Sequence, residues 1–298
     1  MQTGDLLFSP IYAFEEICES YRLKRSALLI IDHSGDVFVP VASSGFDVTT
    51  QRRLRIPSQI LKQNHRLVVG ETITIGREGM TFLEPFFSVR EFALVEALRL
   101  IPLRHGRMLF GILLHIAHSG EENVTRLDDL KRAVVEREST VYAEYTGRLS
   151  ELPVAPAEFR DIDVSLLLGD ELASAVTKDT RLLCLLLRIS ALVASFDAVS
   201  VQVNHLRIRD DIARILYSFV FDGGFLAPCK PDELLLCIRT RHVADTGFVL
   251  QHIESTLSDF YPSLVHVTHA IRASAWFPDD ASDTGELLRK LRITPSDD

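Results

Sequence analysis

The chain has 298 residues, of which 47% are hydrophobic, and its net charge at pH 7 is −9. This length suits two domains, and the hydrophobic fraction excludes an intrinsically disordered chain. The acidic charge argues against nucleic acid or an anionic membrane surface as the main partner. The cysteines are widely spaced, as is typical of a reducing compartment, and the first residues lack a secretory signal. We therefore expect a cytoplasmic protein that does not insert into a membrane.

The first half begins with a helix and a hairpin. Apolar residues recur at helical spacing over residues 10–23, which predicts an amphipathic helix. The apolar run at residues 27–31 predicts a central strand, and residues 38–42 predict its partner strand. Between them, the glycine-containing loop at residues 32–36 is typical of a hairpin turn.

A second hairpin and a long helix complete this half. Residues 98–103 alternate in polarity and residues 109–117 are nearly all apolar, which predicts two paired strands. Residues 125–149 carry apolar side chains near heptad spacing, which predicts a long charged helix suited to dimerisation. His115 and His118 are three residues apart along the second strand, so they face opposite sides and predict no metal site.

This order of elements over residues 10–148 resembles a GAF domain, the small-ligand and dimerisation module of signalling proteins. The resemblance rests on the apolar strand before the Asp32 loop and on the segments at 101–103 (IPL) and 111–114 (GILL). It implies a homodimer and a ligand site between the sheet and the variable middle segment. The residues that cyclic-nucleotide-binding members use are not visible, so the resemblance leaves open whether a small ligand binds and which.

Two prolines separate the halves. Pro153 and Pro156 end the long helix, because proline lacks the N–H group that a helix interior needs. We predict a GAF-like domain at residues 1–150, a proline-containing linker at 151–168 and a second domain at 169–298.

Helices and strands alternate in the second half, which predicts a sheet covered by helices. The predicted elements are a helix from residue 170, a helix at 182–194, a strand at 198–203, a helix at 210–221, a hairpin with arms at 225–227 and 234–238, a helix at 243–260, a strand at 264–273 and a helix at 286–291. The hairpin turn carries Asp232 and Glu233, and such an acidic pair can hold a metal-bound phosphate over a sheet.

Over residues 168–291 the chain resembles a GGDEF domain, the diguanylate cyclase fold. The resemblance rests on residues 170–174, on 203–207 after a predicted strand, on 231–234 (PDEL) at the signature turn and on 265–270. It implies a fold that cyclises GTP with two metal-binding carboxylates. One carboxylate stands at the end of the first strand and the other at the turn.

The matched positions differ from the family's catalytic set. Gln202 and Asn204 stand where the family has its strand-end aspartates, and a neutral amide is a weaker metal ligand than a carboxylate. Lys230 and Pro231 replace the glycines whose backbone N–H groups approach a phosphate. The family's guanine-recognising segment also has no counterpart after Arg207, where the resemblance implies a deletion.

These differences imply a vestigial site with no catalytic residue, no metal and no cofactor. The residues of this candidate nucleotide site are Gln202, Asn204, Lys230, Asp232 and Glu233. A repurposed phosphate or metal site that uses Lys230 as a new cation is one interpretation of the turn. The other is a polar hairpin turn without a ligand, because turns collect such residues for backbone reasons alone.

The sequence thus predicts an α/β (α+β) fold of two domains, each with a central, mostly antiparallel sheet flanked by helices. We predict a non-catalytic signalling protein, a pseudo-diguanylate cyclase that acts through contacts with protein partners. The alternatives are a regulator that binds GTP or cyclic di-GMP without turnover, and an active cyclase with an atypical site.

Overall fold

The structure is a computed structural model that describes residues 10–32, 35–117, 129–130, 132, 146–149, 151–152, 163–220, 223–241, 246–261 and 266–293. The chain divides into two compact units. The first consists of Met1–Ser150 together with Val199–Arg207, and the second of Glu151–Ala198 together with Ile208–Asp298. Among the described residues, no helix is both long enough and apolar enough to span a bilayer.

The first unit is built from short helices around one sheet. Its helices are α1 (Pro10–Tyr21), α2 (Val48–Arg53), α3 (Ser58–Lys62), α4 (His65–Val68) and α5 (Val89–Leu94). Its first six strands are β1 (Ser26–Ile31), β2 (Val37–Ser44), β3 (Ile56–Pro57), β4 (Ile73–Gly76), β5 (Ala97–His105) and β6 (Met108–Ala117). Two short 3-10 helices, Arg77–Gly79 and Thr81–Phe86, precede α5.

The rest of the chain contains six α-helices and five strands among the described residues. The helices are α6 (Val164–Thr177), α7 (Ile189–Val193), α8 (His205–Tyr217), α9 (Thr246–Phe260), α10 (Val267–Ala270) and α11 (Thr284–Leu291). The strands are β7 (Arg181–Arg188), β8 (Gln202–Val203), β9 (Gly224–Lys230), β10 (Glu233–Thr240) and β11 (Ile271–Phe277).

The sheet of the first unit has the strand order β3-β2-β1-β6-β5-β4, and β8 also pairs with β2. Each of these pairings is antiparallel. The predicted central strand β1 lies between β2 and β6. Opposite Ile30, a Cβ at Gly111 would lie 2.9 Å from the Ile30 side chain, so glycine permits this close strand contact.

The sheet of the second unit has the order β11-β7-β10-β9, with antiparallel neighbours throughout. The chain runs from β7 through α8 to β9, returns by a hairpin to β10, and reaches β11 after α9 and α10. This is the split β-α-β arrangement, in which strand pairs are joined through helices. Side chains of α6 and α11 form a core with β7, β10 and β11.

The predicted fold class is confirmed, since both units are antiparallel sheets flanked by helices. The predicted helix at 182–194 is wrong, because β7 occupies Arg181–Arg188 and only Ile189–Val193 is helical. β7 has six consecutive buried residues, so both its faces are apolar. Such a run cannot be distinguished from a buried helix by periodicity.

Two predicted strands of the second half also need correction. Of the predicted strand at 198–203, only the two residues of β8 form a strand, and β8 pairs with β2 in the first unit. The strand at 264–273 is displaced, because α10 occupies part of it and β11 begins only at Ile271. Val267 and Ala270 are each 1% exposed, and their spacing of three places both on one helix face. Most of the predicted helix at 125–149, and His118, lie outside the described residues.

Candidate functional site

The acidic turn joins β9 to β10. Lys230 and Glu233 are register partners at the end of the hairpin, so Pro231 and Asp232 are the two loop residues. The structure therefore places three of the predicted site residues, Lys230, Asp232 and Glu233, within one tight turn.

Asp232 is bound to the start of α7. Its Oδ1 accepts a hydrogen bond from the backbone N–H of Ser190 at 2.7 Å, and its Oδ2 accepts one from Ser190 Oγ. The backbone N–H of Ile189 donates to the Asp232 carbonyl oxygen at 2.9 Å. The first N–H groups of a helix have no partner within it, and a carboxylate satisfies them well. Both carboxylate oxygens of Asp232 therefore already have structural partners.

Glu233 is 8% exposed and is surrounded by cations. Its Oε2 lies 3.4 Å from Lys230 Nζ, and its Oε1 lies 3.9 Å from Arg272 Nε. On the adjacent strand, Arg188 is its register partner. A buried carboxylate needs such compensation, because removal from water penalises its charged form.

The turn carries more positive than negative charge. The cationic residues near the turn are Lys230 and Arg272, which pair with Glu233, Arg188, which is its register partner on β7, and Arg209. Arg209 donates a hydrogen bond to the Pro231 carbonyl oxygen. This excess opposes the approach of a divalent cation. Within the described part of the chain, no group of three or more His, Cys, Asp or Glu side chains could hold a metal ion.

The thiol next to the turn is poorly suited to nucleophilic chemistry. Burial, with repulsion from Glu233, raises the pKa of the Cys229 thiol to about 11. Because the thiolate is the reactive form, this group is almost wholly protonated at neutral pH. All the cysteines are free thiols, and Cys18, Cys184 and Cys237 are buried, as expected for small core residues.

Gln202 and Asn204 lie in the first unit and not at the end of a strand beside the turn. Gln202 pairs with Ser43 on β2 and accepts a hydrogen bond from the Gln51 side chain. Asn204 Nδ2 donates to the Pro40 carbonyl oxygen at 2.8 Å, and its Oδ1 accepts from the backbone N–H of Arg207 at 3.1 Å. The second bond caps the first turn of α8.

The match of residues 203–207 to the end of the family's first strand is therefore wrong. The first strand of the second unit is β7, which ends at Arg188. Ser190 follows in the first turn of α7, and sequence analysis singled out neither residue as part of a site. Residues 194–204 separate α7 from α8. The available signal was Arg188 itself, the charge that interrupts the apolar run.

In the first unit, side chains of the middle segment fill the space against the sheet. Leu54, Ile56, Leu61, Leu67, Met80, Leu83 and Phe87 form one buried cluster with sheet residues such as Leu29, Leu98, Leu100, Ile112 and Leu114. Each of these middle-segment side chains is at most 2% exposed. The region where a GAF ligand would lie is thus packed with the protein's own apolar groups.

Comparisons with known proteins concern the N-terminal half. Residues 2–146 match the family TP_0208_N, described as "Uncharacterised protein N-terminal domain". The search of curated proteins gave no match. The solved structures similar to this half include GAF domains.

Three of these structures illustrate the likeness. A GAF domain/HD domain protein from Geobacter sulfurreducens is 11% identical, with a TM-score of 0.35, and the match covers 45% of this chain and 92% of that one. The PixJ GAF domain from Thermosynechococcus elongatus is 16% identical, with a TM-score of 0.33 and coverages of 46% and 86%. The GAF domain of a Coxiella burnetii phosphoenolpyruvate-protein phosphotransferase is 18% identical, with a TM-score of 0.33 and coverages of 47% and 88%.

Proposed function

We propose that the chain is a non-catalytic signalling protein with a GAF-like first unit and a GGDEF-like second unit that has lost its reaction. Its output is contact with other proteins. The observation that carries the proposal is the end of β7 beside the acidic turn. In the family that this half resembles, a metal-binding carboxylate stands at that strand end, whereas this strand ends in Arg188.

A guanidinium in place of a carboxylate reverses the charge that the metal would meet. It offers no lone pair to a cation and stays protonated at any physiological pH. The remaining acid of the pair, Asp232, is engaged by Ser190 through both oxygens. A two-metal mechanism for GTP cyclisation needs acidic ligands on both sides of the triphosphate. These residues favour a structural role for the turn.

The packing of the first unit favours protein contact over small-ligand sensing. A ligand between the sheet and the middle segment would have to displace side chains such as Leu83 and Phe87, which are 0% and 2% exposed. Opening a cavity of that kind in a close-packed core loses several kcal/mol, on the order of 2–5 for each large side chain.

A second candidate function is nucleotide binding without turnover. It is favoured by the four cations around the turn, which would attract a phosphate even without a metal ion. Calorimetry of the full chain with GTP and with cyclic di-GMP, each with and without Mg²⁺, distinguishes the candidates. A heat of nucleotide binding that does not need metal and is lost in Arg188→Ala supports the second candidate. The absence of a binding heat with both nucleotides excludes it.

The homodimer inferred from the heptad pattern at 125–149 is part of the proposal. Light scattering of the full chain at micromolar concentration tests it. A dimer is expected, and a monomeric mass would remove dimerisation from the proposed role.

A further inference from the structure

A cavity of about 170 Å³ lies in the first unit between β2, α2 and the segment 199–207. Residues that line it include Ala42, Val48, Val203 and Leu206, which are apolar, and Arg52 and Arg55. The neighbouring parts of β2, α2 and the segment are all among the described residues. None of its lining residues belongs to the packed interior cluster described above.

Hydrogen bonds fix the wall that the segment 199–207 provides. Val203 pairs with Ala42, and the backbone N–H of Asn204 donates to the Val41 carbonyl oxygen at 2.9 Å. The Asn204 side-chain amide also donates to the Pro40 carbonyl oxygen of β2. The cavity is therefore preformed, which lowers the entropy loss when something binds in it.

The groups at the cavity combine apolar exposure with positive charge. Val48 is 58% exposed and Leu206 is 63% exposed, so both present large apolar surfaces to water. Arg52 and Arg55 form no ion pair with a carboxylate among the described residues, and the Arg55 guanidinium donates a hydrogen bond to the Arg52 carbonyl oxygen. The two arginines give the rim of the cavity a positive charge on a chain whose net charge is −9.

We infer that this cavity receives an apolar side chain of a partner protein, flanked in the partner by acidic residues that pair with Arg52 and Arg55. The inference rests on the proposed function, because it names the surface and the chemistry of the protein contact. Complementary charge selects the partner, and the apolar side chain anchors it.

Size and openness favour a protein segment over a free small molecule. Pockets for small molecules usually have roughly 300–1,000 Å³ and bury most of the ligand. This cavity is smaller and has Val48 and Leu206 exposed beside it. A segment of a partner would fill the cavity with one side chain and cover both exposed residues with its neighbours, which a small anion cannot do.

Three synthetic peptides test the inference. The probe is a fluorescein-labelled acidic pentapeptide with a central leucine between two aspartate-glutamate pairs, and its analogues have alanine at the centre or lysine in place of every acid. Fluorescence anisotropy with the full chain at low salt should show saturable binding of the leucine peptide only. The affinity should fall with added salt, because the arginines are exposed. Equal binding of the leucine and alanine peptides would overturn the inference, since charge alone would then explain it.

Protein variants locate the binding. Arg52→Ala and Arg55→Ala should each lower the affinity for the leucine peptide by roughly two- to fivefold, which corresponds to the energy of an exposed ion pair. Leu206→Ala should weaken it more than Leu94→Ala, a control at 52% exposure elsewhere in the first unit. Arg90→Ala is the matched charge control. All these side chains are exposed, so the variants should fold.

Each remaining outcome overturns the inference. These are no binding at millimolar peptide, displacement of the bound peptide by inorganic phosphate with no preference for leucine, and equal losses in the control variants. A concentration-dependent dimer that Leu206→Ala abolishes, without peptide binding, would assign the cavity to a second copy of the chain instead. GTP turnover does not enter these assays, so their failure leaves the proposed loss of catalysis standing.

Discussion

Asp232→Ala should destabilise the second unit and leave nucleotide chemistry unaffected. The substitution removes the acceptors of two hydrogen bonds from Ser190 and leaves the Ser190 N–H without its partner. Loss of an N-terminal capping side chain costs about 0.5–2 kcal/mol, and hydrogen bonds to charged groups contribute roughly 1.5–3 kcal/mol. Asp232 is partly exposed, so water replaces part of the loss. We therefore expect a decrease of about 1–2 kcal/mol in the free energy of unfolding.

The chain contains its own reporter for this measurement. Trp276 is the single tryptophan, and it lies on β11 with its Nε1 donating to Thr246 Oγ1 at 2.7 Å. Its fluorescence during urea unfolding therefore follows the second unit. With a urea dependence of about 2 kcal/mol per molar, the midpoint should fall by about 0.5–1 M. Ser190→Ala, which removes only the hydroxyl bond, should give a smaller decrease.

The double variant separates a structural role from a ligand-binding role. Asp232→Ala combined with Ser190→Ala should be about as stable as Asp232→Ala alone, because the two side chains lose one shared interaction. Additive losses would show that they act independently. An unchanged midpoint in Asp232→Ala, together with loss of nucleotide binding, would refute the capping role and assign the carboxylate to a ligand.

Three further changes test other parts of the structure. Gly224→Ala should lower the urea midpoint reported by Trp276 by an amount corresponding to about 2 kcal/mol or more, because φ is +111° and the new Cβ would lie 2.0 Å from the Cys237 carbonyl oxygen. Gly169→Ala in α6 should raise the free energy of unfolding by roughly 0.5–1 kcal/mol, since alanine is the better helix former and its Cβ meets no close contact. Burial would raise the pKa of Asp47, but hydrogen bonds from a serine hydroxyl and the Thr50 N–H outweigh it and hold the pKa below its ordinary value. The Thr50 amide resonance should therefore titrate below about pH 3.9, and the stability from this cap is lost as pH falls through that lower pKa; a midpoint above pH 3.9 contradicts the assignment.

Local patterns predicted the hairpins of both units well. β1 and β2, and β5 and β6, are neighbours in sequence and in the sheet, so an apolar run, a turn and a second run define each pair. The hairpin of β9 and β10 follows the same rule. Elements whose partners are adjacent along the chain need no knowledge of the rest of the fold.

The fold of the second unit is harder to predict from sequence, because its central strand pairs only with segments that are distant along the chain. β7 lies between β10 and β11, and burial on both faces removed the alternation that would have marked it as a strand. Once β7 is taken for a helix, the next alternating segment is wrongly taken for the first strand. Because Gln202 and Asn204 lie at the end of that predicted strand, they were wrongly predicted to lie beside the acidic turn.

The candidate site depends on two long-range contacts that no local pattern predicts. Asp232 is hydrogen-bonded to Ser190, which is 42 residues away in sequence, and Glu233 is the register partner of Arg188 in the sheet. Segment 199–207 likewise pairs with β2, far from it in the chain. Sequence reasoning found the acidic turn, and only the register of β7 with β10 showed which residues face it.

We propose that the turn at Lys230–Glu233 does not support turnover of GTP. Incubation of the full chain with GTP and either Mg²⁺ or Mn²⁺, followed by chromatography of the nucleotides, tests this claim most directly. Asp232→Ala at the same concentration is the matched control. We predict that GTP is recovered unchanged from both proteins. Formation of a cyclic dinucleotide by the wild-type chain, abolished in Asp232→Ala, would contradict the claim.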